Sequence, residues 1–210
     1  SPHKGVNALD ALVLLYNGIS VLRQQLPDGV RVHGIITNGG QAPNVIPEYA
    51  SAHFYIRAET REAVEALEPR IRAIAEGAAL ATGATVKIEH QVGPRDFNIN
   101  DTLNNLFLEE FTAVCEPVDL SAKEGKGSTD VGDISHAVPT AHPSIKIGPD
   151  DLIGHTVAFR EAANSEKGYE ALITGALVLA RAGLRLLTEP ALLQAAKDEF
   201  AGRPTTSNAA

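Results

Sequence analysis

The segment Ile36–Thr60, ITNGGQAPNVIPEYASAHFYIRAET, decides the reading of the first half of this chain. Two glycines, two prolines and Asn44 separate two apolar alternating runs, so the segment reads as strand, elaborate connection, strand. In Ala50–Ala58 the residues Ala52, Phe54 and Ile56 share one face and His53, Tyr55 and Arg57 the other. Val30–Ile36 is the matching first strand. Upstream, Leu9, Leu12, Leu15, Ile19, Leu22 and Leu26 recur at three- and four-residue steps, which predicts an amphipathic helix ending at Pro27–Gly29. Downstream, Thr60 and Glu62 open a second helix with Val64, Leu67, Ile71, Ile74 and Ala78 on its face, and Gly83 ends it. Ala84, Val86, Ile88 and Val92 then alternate with polar residues, predicting a third strand over Ala84–Val92. Helix, strand, strand, helix, strand is a ferredoxin-like unit lacking its first strand.

After Gly93–Asp96 the composition changes. Asp101–Cys115 predicts a helix carrying Leu103, Leu106, Phe107 and Phe111, and a glycine-rich acidic loop follows. Ser144–Ile147 predicts a short strand, Glu166–Leu187 a long apolar helix, and Pro190 the first turn of a last helix, where its fixed φ is tolerated. The tail 203–210 is small and polar and is expected to fray. One or two strands for three helices is a poor ration, because a helix apolar nearly all round needs a sheet to lie on. Expected boundaries are therefore 1–93, 94–202 and the tail.

The chain has 210 residues, 44% apolar and 21% charged, an ordinary globular balance. Its net charge of -8, with no basic patch, argues against nucleic acid. The longest apolar run, Ala171–Ala180, is about half of what spans a bilayer, so a buried helix and no membrane partner are expected. A single cysteine, Cys115, reads as a small buried hydrophobe in a reducing, cytoplasmic compartment. The chain opens at Ser1 with no charged-then-apolar leader, so no secretory signal is expected, and the absent initiator Met suggests a processed fragment.

Four clusters carry potential chemistry. His155, after Gly154 and near Asp150 and Asp151, can offer a ring nitrogen to a metal or substrate. In Gly125–His136, glycines let a ligand approach closely, and Ser128, Thr129, Asp130 and Asp133 bring donors and carboxylates; the alternative is a loop capped at a helix start by Ser128 or Asp130. Asn44 sits between Pro43 and Val45, with Arg57 across the hairpin, and Arg is the side chain best shaped to grip a carboxylate at two points. Asn44 could equally satisfy turn backbone groups, and Arg57 could pair with Glu48 or Glu59. His3, His33, His53, His90, His136 and His142 show no metal-binding spacing and read as surface or satisfied core residues.

Four stretches, SPHKGVNALDALVLL (1–15), GGQAPNVIPEYASAHFYIRAET (39–60), GSTDVGDIS (127–135) and GHTVAFREAANSEKGYEA (154–171), together resemble the M20 family of metallopeptidases and amidohydrolases, in its aminobenzoyl-glutamate hydrolase-like branch. The resemblance implies an α+β chain: a ferredoxin-like lid used for homodimerisation, then the C-terminal part of an α/β/α zinc-peptidase-like catalytic domain. It implies one or two divalent metals, expected to be zinc, and a substrate that is a small N-acyl amino acid or dipeptide. By the same resemblance His155 is a metal ligand, Asn44 and Arg57 reach the substrate or its carboxylate, and Gly127, Ser128, Thr129 and Asp130 line its pocket. The family's other metal ligands and its general base precede the lid, and nothing here matches them. The chain alone is thus expected to be inactive, no catalytic residue lying within it. A non-catalytic module for dimerisation or for binding small carboxylates is the competing reading.

Overall fold

The computed structural model describes residues 1–114, 117–120 and 127–202. Cys115 and the tail 203–210 lie outside them. Backbone contacts divide the chain into two compact units, Ser1–Asp96 and Phe97 onward.

In the first unit, α1 (Ala8–Arg23) begins where the Asn7 side chain accepts hydrogen bonds from the Leu9 and Asp10 amides at 3.0 and 3.3 Å, satisfying donors with no partner inside the helix. β1 (Arg31–Asn38) and β2 (Ser51–Arg57) form a two-stranded antiparallel sheet, with Val32 opposite Ile56, Gly34 opposite Phe54 and Arg31 opposite Arg57. A Cβ at Gly34 would collide with the Phe54 ring, so only glycine admits this aromatic against the opposite strand. α2 (Arg61–Thr82) starts at Thr60, whose hydroxyl accepts from the Ala63 amide at 3.3 Å, and ends at Gly83 in the left-handed conformation, φ 75°. Both helices cover one face of the hairpin. Ile19, Leu22, Val32 and Leu67 are buried there, with Leu15, Phe54, Ile56, Ile71 and Ile74 packed around them. α1 and α2 pack closely at Gly18, where a Cβ would collide with Ile74. The Arg23 guanidinium donates to the Val32 carbonyl at 2.7 Å, tying the end of α1 to the start of β1.

The expected third strand does not form. Residues 84–100 carry no regular structure, and Val86 and Val92, expected inward, are 45% and 60% exposed. The reason is topological. In a split βαβ unit each crossover helix passes over one intervening strand, which would here set 84–92 beside a strand preceding α1 rather than beside β2. No such neighbour exists among the described residues, and an unpaired strand leaves its backbone groups to water.

In the second unit, α3 (Asp101–Ala113), α6 (Glu166–Thr188) and α7 (Pro190–Gly202) pack around Leu103, Leu106, Ala182 and Ala196. Two polar devices hold them. Asn100, 2% exposed, accepts from the Leu103 amide and donates to the Ala196 carbonyl, both at 3.0 Å, while the Glu199 carboxylate accepts from the Asp101 and Thr102 amides at 2.7 and 2.8 Å. Glu110, 3% exposed on α3, is bonded by Arg181 and Arg185 of α6. Burial pushes the Glu110 carboxyl up, but the hydrogen bonds from Arg181 and Arg185 outweigh it and hold it below the usual range. Short helices α4 (Val131–Ser135) and α5 (Val157–Ala163) complete the unit.

Two expectations fail here. Ser144–Ile147 is not a strand, since no strand among the described residues offers it an edge. Nor is α6 a buried helix: Leu172, Ile173, Leu179 and Leu187 are 60% to 83% exposed, because α3 and α7 cover only its opposite side. By length and composition alone, α6 is long and apolar enough to cross a bilayer, with a mean hydropathy of 1.5 over 18 residues. A helix that packs on a sheet carries the same pattern.

Candidate functional site

The connection between β1 and β2 is a built structure. Gly40, at φ 111°, donates its amide to the Asn38 side chain at 2.9 Å and lies against Pro47. The Val45 amide closes a turn onto the Ala42 carbonyl at 3.1 Å, and the Ala8 amide reaches the Pro47 carbonyl at 2.9 Å, pinning the connection to the start of α1. Between them opens a cavity of about 470 Å³, with Asn7, Leu9 and Asn44 among its lining residues. The Asn44 side chain makes no hydrogen bond among the described residues, so it does not serve the turn backbone. Its amide faces solvent with a donor and an acceptor to give.

Arg57 is exposed at the other end of the hairpin. From Ser51, which adjoins the connection, to Arg57 is six residues of extended strand, roughly 20 Å at about 3.3 Å per residue. Asn44 and Arg57 thus stand toward opposite ends of the hairpin. The turn that joins them in sequence is a connection at one end only.

In the second unit, Gly127, Ser128 and Asp130 are exposed and Thr129 is half-buried. At the start of α4 the Asp130 side chain makes no cap bond, and the Thr129 hydroxyl accepts from the Val131 amide at 3.3 Å. The Thr129 carbonyl in turn accepts from the Gly132 amide at 3.1 Å. Ser135 anchors α4, donating to the Gly132 carbonyl at 2.6 Å and accepting from the Asn98 amide at 2.8 Å. The loop is thus a shaped edge on a fixed helix, with Ser128 and Asp130 pointing out.

His155 is exposed, just ahead of α5, whose first turn is capped by the Thr156 hydroxyl accepting from the Phe159 amide at 3.2 Å. Among the described residues it is the one non-glycine at positive φ, 62°. Such backbone costs of order 1 kcal/mol and persists only where its surroundings impose it. Nothing in the sequence announces it. Asp150, expected beside it, is engaged by Lys146. Among the described residues no three of His, Cys, Asp and Glu come together, so these residues do not by themselves fit a metal, which needs about three protein ligands. The other histidines are scattered, His3, His33, His53, His90 and His142 exposed and His136 half-buried.

The sequence reading missed Arg31. It lies directly opposite Arg57 on the open face of the hairpin, and only the strand register makes that visible.

A compact α+β domain, two helices packed over a two-stranded hairpin with a long connection, is the class these features define. Residues 1–82 match the peptidase dimerisation domain of the M20 family. Through this domain the chain resembles the M20 family of peptidases and amidohydrolases. It is 40% identical over 206 residues to an Xaa-Arg dipeptidase of Mus musculus, covering 95% of this chain and 47% of the relative, and 37% identical over 207 residues to that of Homo sapiens, covering 95% and 46%. One of the subunits of the p-aminobenzoyl-glutamate hydrolase of Escherichia coli K12 is 40% identical over 106 residues, half of this chain and 22% of the relative. The chain spans about half the length of the dipeptidases it matches.

Proposed function

We propose that this chain is the lid and C-terminal portion of an amide hydrolase that cleaves small dipeptides or N-acyl amino acids and pairs with a second copy through the lid. The observation that carries this is the extent of the likeness: both units, 95% of the chain, run in register with Xaa-Arg dipeptidases. A divalent metal, zinc in this reading, belongs to the complete enzyme, with His155 as this chain's contribution. The described residues alone do not hold it.

The roles left to these residues follow from their chemistry. Arg57 would grip the substrate carboxylate with its planar fork of donors. Asn44 would donate to a substrate carbonyl or accept from an amide. Gly127–Asp130 would border the pocket, Gly127 leaving room for close approach. The separation of roughly 20 Å along β2 then has a mechanistic meaning. Asn44 and Arg57 of one copy would serve two different substrates, and a two-fold pair of lids would let each site draw Arg57 from one copy and Asn44 from the other.

Complementation in the complete enzyme tests this. Asn44→Ala and Arg57→Ala homodimers should each be impaired, and mixing them should restore about a quarter of the wild-type rate, since half the dimers would be mixed and each would hold one intact site. No restoration would mean that one and the same copy supplies both residues to each site. For this chain alone, metal analysis and an amidase assay should show neither stoichiometric zinc nor turnover; zinc-dependent turnover would overturn the assignment of the remaining machinery elsewhere.

A further inference from the structure

We propose that Arg31 is the second guanidinium of a carboxylate clamp formed with Arg57 on the open face of the hairpin. The inference rests on the role given to Arg57 above and extends it to a residue that nothing else assigns.

Arg31 and Arg57 are direct cross-strand partners, so their side chains leave the same face, with Cα atoms about 5 Å apart. Both are exposed. Like charges directly opposite destabilise a strand pair, and while Arg57 has an interaction of its own, the Arg31 guanidinium hydrogen-bonds only the Val30 carbonyl among the described residues, at 2.8 Å. A carboxylate between them would relieve the repulsion and use both forks. Its two oxygens offer about four lone-pair sites, and each guanidinium presents five donors in a plane.

The next pair along the same face is His33 opposite Tyr55. Tyr55 is 66% exposed and its ring lies 4.9 Å from that of His53. Two residues along a strand is about 7 Å. The ligand this face fits is an acid whose carboxylate is separated by about that distance from a flat or apolar group that can lie on Tyr55. An N-acyl amino acid with an aromatic acyl group has that form. Glu59 is the internal competitor, since it packs over Gly29 at the same end of the hairpin.

The test is an NMR titration of the 210-residue chain, ¹⁵N-labelled, with N-benzoylglycine and with its carboxamide. The acid should shift the Arg31 and Arg57 side-chain Nε–H signals and the amides of residues 33 and 55, and the carboxamide should not. Arg31→Gln should weaken binding of the acid about threefold to fivefold, as losing one exposed charge contact does, with Arg31→Lys in between and the remaining spectrum unchanged. Glu59→Gln should tighten it. If Arg57→Gln weakens binding and Arg31→Gln does not, the clamp is wrong and Arg57 acts alone. If neither does, or if acid and carboxamide shift the same signals alike, the role of Arg57 falls with it.

Discussion

Asn44 and His155 are the residues whose local state says most. Asn44 is an amide with spare hydrogen-bonding capacity at the edge of a cavity, held on a connection that backbone bonds fix at both ends. Replacing it by alanine should leave the melting temperature of this chain within about 1–2 °C, because no internal partner is lost. A drop of several degrees would make Asn44 a structural residue instead. His155 holds a left-handed backbone that glycine would adopt freely. His155→Gly should therefore not destabilise the chain, whatever it does to the complete enzyme, and thermal unfolding measures this directly. Neither property is readable from composition. The sequence places an asparagine between prolines and a histidine after a glycine, and only the folded backbone separates an engaged amide from an idle one.

At the scale of elements, the five long helices were legible because each carries its own instructions, whereas the short α5 was not foreseen. Asn7, Thr60, Asn100 and Ser165 cap their helices as their residue types predict, and Gly83 ends α2. β1 and β2 were legible because both partners lie in the chain. Residues 84–92 and 144–147 were misread because alternation states only that a strand could form, and pairing depends on a neighbour that alternation does not encode. Among these elements the hairpin core is the most sensitive: Ile19→Ala, at a fully buried position, should cost about 2–5 kcal/mol in denaturant unfolding. Gly34→Val should destabilise by displacing the Phe54 ring from its seat. In the second unit, Glu110 binds protons less readily when folded, so its ion pairs contribute stability above the ordinary carboxylate range, near pH 4.5, and lose it as pH falls through the lowered folded value. Thermal melts at falling pH should therefore show a loss of stability below about pH 4.5 that Glu110→Gln, already less stable at neutral pH, shows in weaker form.

For the whole molecule, the apolar face of α6 is the dominant exposed feature. Leu172, Ile173, Leu179 and Leu187 form a surface that soluble monomers seldom leave bare. The isolated chain should associate in a concentration-dependent way, and Leu172→Glu with Leu179→Glu should reduce that association in light scattering while leaving pairing through the lid intact. If the double variant associates as strongly as the parent, the α6 face plays no part.

The unpaired segment after Gly83 has a consequence in time as well as in space. Amides between Arg31 and Arg57 that bridge the two strands should resist exchange with deuterated solvent, while those of residues 84–92 should exchange at the rate of an unstructured peptide. Should a longer form of the protein supply the strand that belongs beside them, both this segment and the outer edge of β2 would slow together, in one step. The exchange rates of nine residues thus become a clock that reports whether the lid is closed into a full sheet, without any measurement of activity.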